Sequence, residues 1–253
     1  MTNIKYSFII TSIAGLSTML GSILIFFKYR NTDKVVCSAL SFAAGVMLTV
    51  SATDLIPSSI TGLLNIYYLF PALLIALISI VFGIAISTLI NKYIPDINSE
   101  KVGNKGLFKV GIISMIAIIL HNVPEGIATF MTSTKDIQLG LSLALAITLH
   151  NIPEGISISV PIYYSTKSKA KALLYTFVSG ISEPLGAIIA YLFLAPYMND
   201  LIMSILLSSI AGIMIAISVY ELIPASLKYN NTKRTTLYFL IGSIFMMICH
   251  LFV

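Results

Sequence analysis

Apolar residues run along this chain in eight long blocks separated by short polar stretches. The blocks cover residues 6–27, 35–56, 69–90, 110–131, 139–161, 171–195, 202–224 and 236–253. Each has about the 20 residues that a helix needs to cross the hydrocarbon core of a bilayer. The pattern predicts an all-α integral membrane protein of eight transmembrane helices, forming a single transmembrane domain over residues 1–253. The longest polar stretch, Asn91 to Lys109, carries Pro95, Gly103 and Gly106 and reads as a loop. The first block, Tyr6 to Phe27, exceeds the roughly 7–15 apolar residues of a signal-peptide core and is followed by no A-x-A-like site. It is therefore expected to be the first span.

Composition strengthens this reading. Of the 253 residues, 57% are hydrophobic and only 10% are charged, and the mean hydropathy is +0.96. A soluble domain carries about 25% charged residues. So much apolar surface has no place in one water-soluble core. The net charge of +5 does not point to nucleic acid, because the cations form no basic domain. The two cysteines, Cys37 and Cys249, lie in apolar runs without CxxC spacing and are expected to be small buried hydrophobes. No G-x-x-x-x-G-K-[ST] phosphate loop is present, so direct use of ATP by this chain is not expected.

Charge also orients the chain. Of the 15 lysines and arginines, 13 fall on the side shared by the loops after spans one, three, five and seven; only Lys5 and Lys135 fall on the other. The positive-inside rule then puts both termini outside the cytoplasm.

Two internal repeats stand out. His121-Asn122-Val123-Pro124-Glu125-Gly126-Ile127 returns as His150-Asn151-Ile152-Pro153-Glu154-Gly155-Ile156. Ala44-Gly45-Val46-Met47 and Asp54-Leu55-Ile56-Pro57 return as Ala211-Gly212-Ile213-Met214 and Glu221-Leu222-Ile223-Pro224. The copies sit an odd number of spans apart and so cross the membrane in opposite directions. This is a 3+2+3 inverted repeat with spans four and five at its pseudo-two-fold axis, an arrangement common in secondary transporters.

Five of the ten acidic residues, Asp54, Glu125, Glu154, Glu183 and Glu221, fall inside predicted spans. A charge at the bilayer centre costs about 3 kcal/mol or more. With no lysine or arginine at their depth, these carboxylates need protons or a metal ion. The spacing favours metal, because His121 and Glu125 stand at i and i+4 on one helical face, as do His150 and Glu154. Two such helices packed antiparallel bring two imidazoles and two carboxylates to one point. Nitrogen and oxygen donors of this kind suit Zn²⁺, Fe²⁺, Mn²⁺, Co²⁺ and Cd²⁺. Pro124 and Pro153 free the carbonyls of Leu120 and Leu149, and Gly126 and Gly155 allow close helix approach. Glu183, in Gly180-x-x-Glu183-Pro184-Leu185-Gly186, is a candidate for a second metal position. Asp54 and Glu221 lie near helix ends and are candidates for the two mouths of a pathway, or simply snorkel to water. Met47 and Met214 are either soft gate residues or core packing. His250 stands alone and is expected to be structural or interfacial.

The paired H-N-x-P-E-G motifs followed by E-P-L-G resemble the ZIP (zinc/iron permease) family, nearest its bacterial branch, over essentially the whole chain. The resemblance implies uptake of zinc, iron and related divalent ions into the cytoplasm through a binuclear site. It implies that His121, Glu125, His150 and Glu154 hold a first metal. It implies that Asn122, Asn151 and Glu183 hold a second, with Glu125 and Glu154 bridging. It also implies an elevator in which helices 1, 4, 5 and 6 move against 2, 3, 7 and 8, often in a homodimer. The histidine-rich loop of many members has no counterpart in Asn91 to Lys109. The expected partners are metal ions, lipid and a second copy, with no nucleic acid and no cofactor. A proton-coupled cation exchanger or exporter using the same carboxylates is the alternative. An intramembrane metalloenzyme is disfavoured, since neither H-E-x-x-H nor a nucleophile motif occurs.

Overall fold

The computed structural model describes residues 2–93, 104–194, 197 and 199–251. Eight helices occupy them: α1 (Asn3–Phe26), α2 (Thr32–Leu64), α3 (Leu69–Tyr93), α4 (Lys105–Lys135), α5 (Ile137–Thr166), α6 (Lys169–Phe193), α7 (Asp200–Leu227) and α8 (Thr232–His250). The first seven are long and apolar enough to cross a membrane; α8 is less apolar because it opens on Lys233 and Arg234. Residues 252–253 of the eighth expected span, residue 195 of the sixth and residues 94–103 of the expected loop lie outside the described residues. The rest of that loop, Asn91–Tyr93 and residues 105–109, is helical. Hydropathy marks the buried stretch of a helix but not the polar turns that extend it, so the helices overrun most of the expected blocks.

Side-chain caps set many of the starts. Asn31, Asn104, Asp136, Ser168, Asn199 and Asn231 each accept a backbone N–H of the helix that follows. Such a cap contributes about 1 kcal/mol. Asp136 both ends α4 and caps α5, so these two helices are joined by one residue. His121 lies 15 residues before that joint and His150 lies 14 after it. At 1.5 Å per residue both return to a depth of about 22 Å from the turn.

α2 and α7 continue past Pro57 and Pro224 by widening into π turns, Ser51–Leu55 and Ser218–Leu222. A proline clashes with the carbonyl four residues back, and a π turn relieves that clash without ending the helix. α2 therefore runs eight residues beyond its expected end at residue 56.

The packing carries the inverted repeat. Gly45 of α2 abuts the Phe239 carbonyl of α8, and Gly212 of α7 abuts the Ile80 carbonyl of α3. Gly126 of α4 meets the Glu183 carbonyl of α6, while Gly155 of α5 meets the Thr18 carbonyl of α1. These glycines let backbones touch where hydrocarbon supplies no hydrophobic drive to associate. α1, α4, α5 and α6 pack together as one group, and α2, α3, α7 and α8 as another. The two groups meet chiefly along α2–α5 and α4–α7.

Candidate metal centre

α4 and α5, hinged at Asp136, turn their two motifs toward each other. Nε2 of His121 lies 3.3 Å from Oε1 of Glu125 and 3.1 Å from Oε1 of Glu154; Nε2 of His150 lies 3.0 Å from Oε1 of Glu125. The imidazole centroids are 6.1 Å apart. One donor atom from each of His121, His150 and Glu154 falls within 4.8 Å of the others. All four side chains are buried.

Asn122, Asn151 and Glu183 adjoin this group. Nδ2 of Asn151 donates to Oε2 of Glu183 at 3.0 Å and to the Ala14 carbonyl at 2.9 Å, tying α5 to α6 and α1. Nδ2 of Asn122 donates to the Ser179 carbonyl at 3.2 Å. Three carboxylates are thus held out of water, and the ionic contacts of Glu125 and Glu154 run to the two histidines. Oε2 of Glu125, Oε2 of Glu154, Oε1 of Glu183, Oδ1 of Asn122 and Oδ1 of Asn151 are buried without a hydrogen-bond partner. Orphaned acceptors are costly in a low dielectric. Acceptors gathered at one point suit a cation.

A cavity of about 410 Å³ leads from Glu125 and His150 to the Asp136 end of the bundle, between the two helix groups. Asp54, Ser58, Met131, Leu139, Asp136 and Asp200 line it. The opposite end is closed by an apolar cluster that includes Leu107, Val110 and Ala117 of α4 and Ile156 and Val160 of α5. Met47 and Met214 are buried in that cluster. Val110 and Val160 are the repeat counterparts of Leu139 and Met131. The latter two line the cavity that reaches Glu125, whereas Val160 lies in the apolar cluster and Val110 borders a smaller cavity of about 140 Å³ whose lining includes neither histidine nor glutamate. Glu221 lies at the sealed end, where Nδ2 of Asn91 donates to its Oε1 at 2.5 Å, beside a separate cavity of about 350 Å³. Cys37 and Cys249 are buried free thiols, and His250 is exposed at the end of α8.

Sequence reasoning missed the part of α1. Gly15-Leu16-Ser17-Thr18-Met19-Leu20-Gly21 parallels Gly180-Ile181-Ser182-Glu183-Pro184-Leu185-Gly186. Glycine spacing was the available signal, obscured because the charged residue of one copy is a threonine in the other.

The sequence model described as ZIP Zinc transporter matches residues 98–250. Among curated relatives, a zinc transporter ZupT of Clostridium perfringens is 40% identical over 98% of this chain and 95% of its own. One of Lysinibacillus sphaericus is 39% identical over 97% of this chain and 96% of its own, and one of Streptococcus mutans 42% over 89% of each. With eight helices, paired motifs and these likenesses, the chain belongs to the ZIP zinc transporter family and is a multi-pass cell-membrane transporter of metal ions, not an enzyme.

Proposed function

We propose that this protein takes up divalent transition-metal ions into the cytoplasm, zinc first and iron, manganese, cobalt and cadmium as related cargo. The observation that carries the reading is the burial of three carboxylates with two histidines at one point and five orphaned oxygens around them. The relatives bear the name zinc transporter, which supports zinc as the principal ion.

The cargo binds at two adjacent positions. His121, Glu125, His150 and Glu154 hold the first ion. Asn122, Asn151 and Glu183 hold the second, and Glu125 and Glu154 bridge. The near approach of Glu183 to Asn151 supports a second position beside the first.

The lysine-rich loops lie in the cytoplasm and both termini outside. The cavity at the Asp136 end then faces the exterior, and the apolar cluster seals the cytoplasmic side. Asp54 attracts ions at the outer mouth, and Glu221 assists their release at the inner one. Alternating access follows from sliding α1, α4, α5 and α6 against α2, α3, α7 and α8. The narrow seam between those two groups supports that division. A homodimer formed through the second group would anchor the moving one.

The test is radiolabelled zinc uptake into proteoliposomes, with iron, manganese, cobalt and cadmium as competitors. Uptake that saturates with zinc and is competed by these ions is the expected result. No accumulation with correctly inserted protein would remove the reading.

A further inference from the structure

The internal two-fold relates α1 to α6 residue by residue. Oγ of Ser17 donates to the Ala14 carbonyl at 2.6 Å, and Oγ of Ser182 to the Ser179 carbonyl at 2.5 Å. Those same two carbonyls accept from Asn151 and Asn122. A Cβ added at Gly15 would stand 2.8 Å from the Cβ of Glu183, and one added at Gly180 would stand 3.4 Å from the Cβ of Thr18. Gly126 and Gly155 complete the correspondence by meeting the carbonyls of Glu183 and Thr18. Thr18 therefore occupies the place on α1 that Glu183 occupies on α6.

The site departs from symmetry at this pair. Asn151 reaches a carboxylate on Glu183. Asn122 reaches only the Ser179 carbonyl, and its Oδ1 is left without a partner. Thr18 is fully buried, and its hydroxyl is turned back on the Gly15 carbonyl at 2.7 Å. The site thus has glutamates at three of four symmetry-related positions and a threonine at the fourth.

We propose that Thr18 is a specificity-determining residue, which keeps the second metal position short of one carboxylate by holding a neutral hydroxyl opposite Glu183. Two divalent ions carry four positive charges against three glutamates with neutral histidines, so the pair is held loosely and repels itself. Weak multi-site binding of this kind allows release as well as capture. A fourth carboxylate would complete the neutralisation and make the second position richer in hard oxygen ligands. It would then shift the preference toward Mn²⁺ relative to Zn²⁺ and slow release. This inference rests on the reading of Asn122, Asn151 and Glu183 as the second metal position.

The test compares full-length variants in proteoliposomes. In Thr18→Glu, Mn²⁺ should compete with radiolabelled zinc at about tenfold lower concentration, the scale by which a changed polar partner alters metal affinity. Zinc turnover at saturation should fall. In Glu183→Thr transport should be slow, and adding Thr18→Glu to it should restore a large part of the rate by returning one carboxylate to the position. Unchanged Mn²⁺ competition in Thr18→Glu, or no recovery in the double variant, overturns the proposal. If Thr18→Glu does not accumulate, Thr18→Asp takes its place, with Thr18→Gln as the neutral control of equal size. Accumulation of the Gln variant alone, or of none of the three, means position 18 has no access to a cation, and the proposal is wrong. Glu125→Ala separates the two readings: if it still transports, the site itself is wrong. If it is inactive and the Thr18 variants do not respond, only the present inference falls.

Discussion

His150 reaches across the α4–α5 hairpin to Glu125, with Nε2 at 3.0 Å from Oε1, while His121 reaches back to Glu154 at 3.1 Å. Each motif is completed by the other helix. A single H-x-x-x-E copy brings one imidazole and one carboxylate, and only the crossing brings four donors together.

Loss of either central glutamate should therefore disable both halves. Glu125→Ala and Glu154→Ala each remove one negative charge from the proposed ion site in low dielectric, where uncompensated charge is costly. Radiolabelled zinc uptake, at matched membrane levels, should drop to background in both. Near-normal uptake by either would remove the proposed site.

Glu183→Ala should behave differently. Its carboxylate accepts from Asn151, whereas the ion pairs of the two histidines run to Glu125 and Glu154, so the four residues proposed to hold the first ion survive. Slow zinc transport with an altered competition order among iron, manganese and cadmium is expected. A complete loss of zinc uptake would mean that the two positions act as one.

Asp54 and Glu221 are repeat counterparts in unlike settings. Asp54 lines the open cavity, whereas Glu221 is held by Asn91 at the sealed end. Asp54→Asn should mainly weaken apparent affinity for zinc, and Glu221→Gln should mainly lower turnover. The reverse pattern in concentration-dependent uptake would reverse the assigned direction of transport.

The same pair tests orientation. Cysteine placed at 54 and at 221, with Cys37 and Cys249 replaced, should react with an impermeant thiol reagent from opposite faces of oriented vesicles. Labelling of both from one face would contradict the inverted repeat.

Gly126→Ala should act through the backbone. The added Cβ would collide with the carbonyl of Glu183 and stand 3.0 Å from its Cα. α4 and α6 must separate, at about 1–3 kcal/mol for an overpacked contact. A lower midpoint of thermal unfolding in detergent, together with reduced uptake, is the expected result. An unchanged midpoint would show that this crossing tolerates a methyl group.

The sequence alone was sufficient for the eight-helix plan and its inverted repeat, and it singled out His121, Glu125, His150 and Glu154, which the structure gathers at one point. Hydropathy reports burial in lipid one segment at a time, and a repeated HNxPEG at i, i+4 spacing is a local property of a helix. The π turns were not legible: Pro57 and Pro224 look like terminators locally, and only packing of the following turns keeps α2 and α7 helical beyond them. The pairing of His150 with Glu125 was not fixed by the sequence either, because it depends on the depth at which two helices return from Asp136. The seal around Val110 and Val160, open at Leu139 and Met131, lies furthest from the sequence. Equivalent residues in the two copies have like character, so local chemistry cannot say which end is closed. That asymmetry arises from how one group of four helices leans on the other, which is a property of the tertiary structure.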